Sequence, residues 1–174
     1  MRVTHFLFCL LLSGTLTAQT TDLQPAAKKI LINGKPIDKN TGSAALRDIL
    51  GAPSRVLSED GNPTRLYIYD QHGFAAVIDT VTNELHKIDF HLQKGKRSFE
   101  TNPKTLFKGP LSLDGKSINL ADDIETIQKN TGLSFEQMGV IPWYTYDNEE
   151  FSITFAYGNE KGIKMLHVIF LSSE

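Results

Sequence analysis

Two short stretches decide the fold: Ile32-Asn33-Gly34-Lys35-Pro36-Ile37 and, further along the chain, Leu113-Asp114-Gly115-Lys116-Ser117-Ile118. Asn-Gly and Asp-Gly pairs tolerate positive φ at both central positions of a tight turn, so each stretch predicts a turn between two short extended segments. The same pattern at two places in one chain indicates an internal duplication.

The duplication extends beyond these turns. Tyr67-Ile68-Tyr69-Asp70 with Phe74 corresponds to Tyr144-Thr145-Tyr146-Asp147 with Phe151, and Leu85-His86 with Ile88 corresponds to Leu166-His167 with Ile169. Because these pieces recur in the same order, we predict two tandem repeats. The predicted units are a repeat over residues 30–92, a basic linker over 93–110, and a second repeat over 111–174.

Each repeat is predicted to contain a helix followed by an antiparallel meander. Ala44, Leu46, Ile49 and Leu50 form one apolar stripe that ends at Gly51. In the second repeat, Ile124 and Ile127 face inward, Asn119 is the expected cap, and Gly132 is the expected stop. Ser134-Phe135-Glu136-Gln137 has capping-box spacing and predicts a short additional helix. The fold class is therefore α+β, with two tandem repeats that each pack a helix, or two, on a meander sheet.

Three strands are predicted in each repeat, over residues 65–69, 74–80 and 85–92, and then 143–146, 151–157 and 162–171. Alternation places Phe151, Ile153 and Phe155 on a core face of the second sheet. Ile88 and Phe90, together with the helix residues Ile49 and Leu50, are the expected core of the first repeat. The opposite face of each sheet should be more polar and open.

Composition limits the function classes. The chain has 174 residues, 22% of them charged, with a formal net charge of −2. That composition is ordinary for a globular protein, and the lack of a basic excess argues against binding to nucleic acid.

The first residues have the layout of a secretory signal peptide. Arg2 precedes an apolar run over residues 6–12, and small and polar residues lead to Ala18. We predict a signal peptide over 1–18 cleaved near Ala18, a flexible lead over 19–29, and a periplasmic or secreted location. The run is too short to span a bilayer, and no transmembrane segment is predicted.

No catalytic motif or cofactor-binding motif is present. Cys9, the only cysteine, lies inside the signal peptide, which excludes a disulfide framework, a cysteine nucleophile and a thiolate metal site in the mature chain. His86 and His91 are five residues apart and point to opposite faces of a strand, so no metal site and no cofactor are predicted. The acidic stretch Asp147-Asn148-Glu149-Glu150 predicts a hairpin loop, with cation binding as the alternative. Asp70 and Asp147 are expected to bond backbone amides of their own turns.

The linker is locally basic, because it contains five cationic residues and a single acidic residue, Glu100. A solvated linker is the expected structure, and a strip that binds anions such as acidic lipid head groups is the alternative. The cations are Lys94, Lys96, Arg97, Lys104 and Lys108.

The motifs also carry a family resemblance. Leu50-Gly51-Ala52-Pro53-Ser54-Arg55, followed by Tyr67-Ile68-Tyr69-Asp70 and Gly73-Phe74, resembles the small outer-membrane lipoprotein of the barrel-assembly machinery and its relatives. Two such units in tandem resemble the β-lactamase inhibitor protein, which implies joined sheets with a protein-binding surface. Together with Phe107-Lys108-Gly109, the motifs are most similar to an uncharacterised bacterial family, a domain of unknown function. These turn and cap residues imply a scaffold and no transferred functional residue.

The sequence therefore predicts a non-catalytic exported protein that binds an envelope or secreted protein through its sheet face. A module that binds a small ligand or a cation is the alternative, and an enzyme assembled from scattered Asp, His and Tyr residues is a third hypothesis. If the two sheets lie side by side, Trp143 is the aromatic anchor of the surface, although it could instead fill the seam between the repeats. The predicted contact residues are Trp143, Thr145, Ser152, Thr154, Lys87, Asp89 and His91.

Overall fold

The structure is a computed structural model that describes residues 19–58, 61–95, 99–158 and 162–171. Within these ranges the chain forms two β-sheets, two α-helices and a short 3-10 helix at Pro25–Ala27. The predicted signal peptide and the linker cations Lys96 and Arg97 lie outside the described residues. None of the helices in these ranges is long and apolar enough to cross a membrane.

The larger sheet has eight strands in the order β10-β11-β12-β13-β7-β6-β5-β4, and every neighbouring pair is antiparallel. Strands β7 and β13 meet at its centre, so the two halves of the sequence share one continuous sheet. The six strands predicted from alternation are confirmed to within two residues at their ends. The strands are β4 (Arg55–Ser58), β5 (Thr64–Tyr69), β6 (Phe74–Asp79), β7 (Leu85–His91), β10 (Glu136–Gln137), β11 (Trp143–Asp147), β12 (Phe151–Tyr157) and β13 (Ile163–Phe170).

The smaller sheet has five strands in the order β3-β2-β1-β8-β9. The two predicted turns are confirmed, because Asn33 and Gly34, like Asp114 and Gly115, adopt positive φ between paired strands. The strands are β1 (Thr21–Gln24), β2 (Lys29–Ile32), β3 (Lys35–Ile37), β8 (Leu111–Leu113) and β9 (Lys116–Ile118).

Strand β1 corrects the prediction of a flexible lead over residues 19–29. It is the central strand of the smaller sheet, antiparallel to β2 and parallel to β8, and Leu23 is fully buried. The carboxylate of Asp22 accepts hydrogen bonds from the Ser112 hydroxyl at 2.6 Å and from the Gly115 amide at 2.9 Å. Four residues with one strongly apolar side chain have little local strand signal, so tertiary pairing determines this element.

The helices are α1 (Ser43–Leu50) and α2 (Ile124–Thr131), and they end at Gly51 and Gly132 as predicted. The cap of α2 is Asp123 rather than Asn119, and its carboxylate accepts from the Thr126 amide at 2.8 Å.

The additional helix predicted from the capping-box spacing at residues 134–137 is wrong. Glu136 and Gln137 form strand β10 and pair with Thr145 and Tyr144. The Phe135 amide donates to the side-chain carbonyl of Gln128 at 2.7 Å, which attaches this segment to helix α2. One helical turn is costly to nucleate, and an available sheet edge offers more hydrogen bonds.

Both sheets and both helices contribute to one hydrophobic core. The core residues expected in the two repeats are found together in it, with Ile49 and Ile124 at its margin. Phe90 and Phe107 pack edge to face with ring centroids 5.2 Å apart. The two halves of the sequence therefore share one core.

Over residues 93–95 and 99–110 the linker is only partly the solvated connection that its charge predicts: Lys94, Lys104 and Lys108 are exposed, but other residues anchor it to the protein. Pro103 and Phe107 are buried, and the linker is fastened to the larger sheet by Arg55. The Arg55 guanidinium holds Asp70 in a bidentate pair at 2.8 and 3.1 Å and donates to the carbonyls of Glu100 and Asn102 at 2.6 and 2.9 Å.

Candidate functional site

The strand registers bring most of the predicted contact residues onto one face of the larger sheet. Thr145 pairs with Thr154, Thr154 with His167, and His167 with Asp89, across four adjacent strands. We call these four residues the polar row. Lys87 and His91 flank Asp89 along β7, and Ser152 lies two residues from Thr154 along β12.

The polar row is internally bonded. The hydroxyls of Thr145 and Thr154 lie 2.9 Å apart, and Nδ1 of His167 lies 2.6 Å from a carboxylate oxygen of Asp89. The other Asp89 oxygen forms an ion pair with Lys87 at 2.9 Å. These contacts fix the side chains in place.

Burial and charge oppose each other at Asp89. Burial alone would raise the pKa of Asp89, but the hydrogen bond and charge of His167, assisted by Lys87, hold this pKa below its ordinary value. At His91, burial lowers the pKa of the imidazole, and the nearby charge of Asp89 offsets part of that effect. Asp89 is therefore ionised near neutral pH, while burial favours neutral His91.

The face is less open than the sequence predicts. Four of the predicted contact residues are buried, and a partner cannot reach them while the sheet keeps this arrangement. They are buried because they lie on inner strands of an eight-stranded sheet, where side chains of the neighbouring strands flank them on both sides. The four are His91, Thr145, Ser152 and Thr154.

Trp143 remains accessible, with 39% of its surface exposed. It lies on β11, next to the outermost strand β10, and is two strands away from the β7–β13 junction. The alternative that Trp143 fills the seam between the repeats stays a prediction, because the indole is exposed but also reaches a residue of the junction strand β13. Its indole contacts the His167 ring at a centroid distance of 5.6 Å, and Nε2 of His167 is buried without a hydrogen-bond partner.

The turn between β10 and β11 is an apolar projection that the sequence analysis missed. Residues 136–143 are all exposed, and three apolar side chains project at the turn: Met138 (50% exposed), Val140 (99%) and Ile141 (44%). We call residues 138–143 the apolar hairpin. The available signal was the absence of any charge between Glu136 and Asp147, which is unusual around a surface turn.

Within the acidic stretch 147–150, Asn148 and Glu150 make structural contacts. Asn148 accepts from the amides of Glu150 and Phe151, and the Glu150 carboxylate pairs with Lys28 at 2.8 Å. Among the described residues, no group of three or more His, Cys, Asp or Glu side chains is placed to hold a metal ion.

From the sequence, Asp70 is expected to bond the amides of its own turn. Its carboxylate instead accepts a hydrogen bond from the Lys104 amide at 2.9 Å. Asp70 also accepts from Arg55, whereas Asp147 at the corresponding position is exposed. The correspondence between these two aspartates in sequence therefore does not extend to their contacts.

A cleft of about 530 Å³ lies at the opposite end of the same sheet face. Its floor is Leu57, Leu66 and Val77, which pair directly across β4, β5 and β6. Glu100 and Thr101 of the linker border it on one side. The floor is apolar and the border polar, a combination found in sites for small molecules.

The two sheets, the two helices and the bonded polar face define a mixed α/β protein in which β-structure predominates. The family model of a domain of unknown function, DUF7738, matches residues 22–128, and the chain belongs to that family. No curated protein matches the chain.

Two solved structures are similar to the chain. A DUF4309 family protein, YjgB, from Bacillus subtilis is 13% identical with a TM-score of 0.49, and the match covers 83% of this chain and 89% of that one. An extracellular protein containing an SCP domain from Bacillus anthracis is 11% identical with a TM-score of 0.48, and the match covers 76% of this chain and 44% of that one. The chain thus corresponds to less than half the length of the second protein.

Proposed function

We propose that this chain is an exported, non-catalytic protein that binds another protein through the Trp143 end of its larger sheet. The observation that carries the proposal is the exposed indole of Trp143, which rests on His167 beside the bonded pair Asp89–Lys87. An accessible aromatic group next to fixed charges is the arrangement that dominates binding energy at protein interfaces.

The arrangement of the Asp89 and His167 side chains supports a binding function rather than a catalytic one. An Asp that holds Nδ1 of a His resembles part of a catalytic triad, which needs the other nitrogen to face a nucleophile. Here Nε2 of His167 is buried and has no hydroxyl partner. The pair therefore acts as a support for Trp143 in this proposal.

We also infer that the chain consists of two tandem repeats, each with a helix and a meander. The strand order supports this inference, since it reads β7-β6-β5-β4 on one side of the central junction and β13-β12-β11-β10 on the other. A hairpin of the smaller sheet and a helix precede the three longer strands in each half.

The test is affinity capture from an envelope extract with wild-type protein, Trp143→Ala and a control, Phe99→Ala. Phe99 is an exposed aromatic residue on the linker. Trp143→Ala should weaken capture by about thirtyfold or more, equivalent to about 2 kcal/mol, because it removes the anchor. Phe99→Ala should capture normally.

Full capture by Trp143→Ala would contradict the proposal, as would an equal loss in both variants. Unfolding of Trp143→Ala, monitored by circular dichroism, would instead assign a structural role to the indole.

Binding of a small ligand is the second candidate function, favoured by the cleft over Leu57, Leu66 and Val77. The cleft is separate from Trp143, so the protein-binding and ligand-binding hypotheses concern different residues.

A further inference from the structure

The apolar hairpin differs from the other strand turns described above. The turns at Asn33-Gly34 and Asp114-Gly115 have polar or glycine residues at their tips. The apolar hairpin instead carries Met138 and Ile141, which are about half exposed, and Val140, which is almost completely exposed. Exposing several adjacent aliphatic side chains to water is unfavourable. This indicates that an apolar surface covers them when the protein functions.

Part of the backbone of the apolar hairpin is hydrogen-bonded within the protein. The Met138 amide donates to the Trp143 carbonyl and the Trp143 amide to the Ile141 carbonyl, both at 2.8 Å. The Pro142 carbonyl accepts from the Tyr157 amide at 2.9 Å, and Gln137 donates to Ile141 from its side chain at 3.1 Å. These internal bonds reduce the cost of moving the turn out of water, the main obstacle to placing a loop in lipid.

Trp143 lies at the base of this turn, where the exposed apolar tip meets the polar row. Indole rings are enriched at the boundary between hydrocarbon and head groups, because they combine an apolar ring with one N–H donor. Trp143, at the base of the exposed tip, is therefore a residue type that suits such a boundary.

We propose that the apolar hairpin docks on a lipid bilayer, with Met138, Val140 and Ile141 entering the apolar side of the interface and Trp143 at head-group level. A protein partner of the tip itself is less favoured, because Met138, Val140 and Ile141 offer no polar group to give specificity, whereas the proposed protein contact lies on the sheet face beside His167. Since the tip also carries no charge, the contact should not depend on anionic lipids. The proposal does not rest on the proposed protein partner.

The experiment measures co-sedimentation of the exported form with vesicles of phosphatidylcholine and phosphatidylethanolamine, together with tryptophan fluorescence. Trp143 is the only tryptophan of the chain, so its emission reports directly on the base of the hairpin. Wild-type protein should bind with a blue shift of the emission, at both low and high salt.

The double variant Val140→Asp/Ile141→Asp should lose at least about tenfold in vesicle affinity, since it puts two charges into the apolar side of the interface. Val140→Asp alone provides a second measurement at a side chain that contacts almost nothing in the fold. The matched control is Val81→Asp, in a different turn where Val81 is 82% exposed. This control should bind as wild type.

Each of the following results would overturn the proposal. One is failure of wild-type protein to bind the vesicles, and another is a loss of affinity by Val81→Asp as large as that of the double variant. Binding that needs anionic lipid and disappears at high salt would assign the contact to the linker lysines Lys94, Lys104 and Lys108. Loss of a protein partner by the double variant, without vesicle binding by wild type, would assign the tip to a protein contact.

Discussion

At the scale of single residues, Arg55 and Asp70 connect sequence motifs that lie far apart. Arg55 ends the Leu-Gly-x-Pro-x-Arg motif, and Asp70 ends the Tyr-x-Tyr-Asp motif. Their bidentate pair also holds the linker, through the carbonyls of Glu100 and Asn102 and the amide of Lys104. A planar guanidinium can donate hydrogen bonds to a carboxylate and to two carbonyls at once in this geometry, which a lysine ammonium cannot do.

Replacing Asp70 should lower stability in a manner that depends on pH. The hydrogen bonds from Arg55, together with the Lys104 amide, hold the pKa of Asp70 below its ordinary value, although partial burial opposes this. A carboxylate with a depressed folded-state pKa stabilises the fold above the unfolded pKa of about 3.9 and loses that contribution as the pH falls through the folded value. Asp70→Asn should therefore cost about 1–2 kcal/mol at pH 7, and the difference from wild type should narrow below about pH 4.

The measurement is urea denaturation between pH 3 and pH 7. The control is Asp147→Asn, at the corresponding exposed position of the second half, which should change stability by less than about 0.5 kcal/mol. A constant difference between Asp70→Asn and wild type across this range would show that the carboxylate charge is not the cause.

At the scale of elements, the turn between β5 and β6 is fitted against the linker. Gly73 has a φ of +75°, and a Cβ there would lie 2.0 Å from the Phe107 amide nitrogen and 2.2 Å from the Leu106 carbonyl carbon. The His91 carbonyl accepts from Phe107 at 2.8 Å in the same region. A glycine thus lets three backbone segments meet at one point.

Gly73→Ala and Gly115→Ala form a matched pair that separates crowding from backbone strain. Gly115 has nearly the same φ, +74°, but a Cβ there would meet nothing within 4 Å. Gly115→Ala should cost about 1 kcal/mol from the left-handed conformation alone, whereas Gly73→Ala should cost at least about 2 kcal/mol more because backbone atoms must move. Thermal denaturation of both variants checks this difference, and equal losses would mean that the linker does not approach Gly73 closely.

At the scale of the whole molecule, the two sequence halves are joined in both sheets. Strand β1 lies between β2 of the first half and β8 of the second, while β7 pairs with β13 in the larger sheet. With one shared core, unfolding of either half exposes apolar surface of the other. The chain should therefore unfold in one cooperative transition.

Leu23→Ala tests this joining directly. Leu23 is fully buried in β1, and its truncation should cost about 2–5 kcal/mol. Val81→Ala, at an exposed turn, should change stability by less than about 0.5 kcal/mol. Urea unfolding gives both values, and a loss below about 1 kcal/mol for Leu23→Ala would restore the flexible lead predicted from sequence.

By itself, the sequence determined the elements whose signals are local. Alternating residues such as Phe151, Ile153 and Phe155 define a strand and its core face, and Asn33-Gly34 defines a turn, because these properties depend on neighbours in the chain. Tertiary structure alone decided that residues 21–24 form a central strand and residues 136–137 an edge strand, since distant segments supply their hydrogen bonds. The same holds for the candidate site. Alternation put Trp143 and Asp89 each on the more polar face of its own strand, but only the pairing of eight strands joined these faces, buried Thr154 and left the apolar hairpin exposed. Burial depends on what packs around a residue, and a single sequence does not specify that packing.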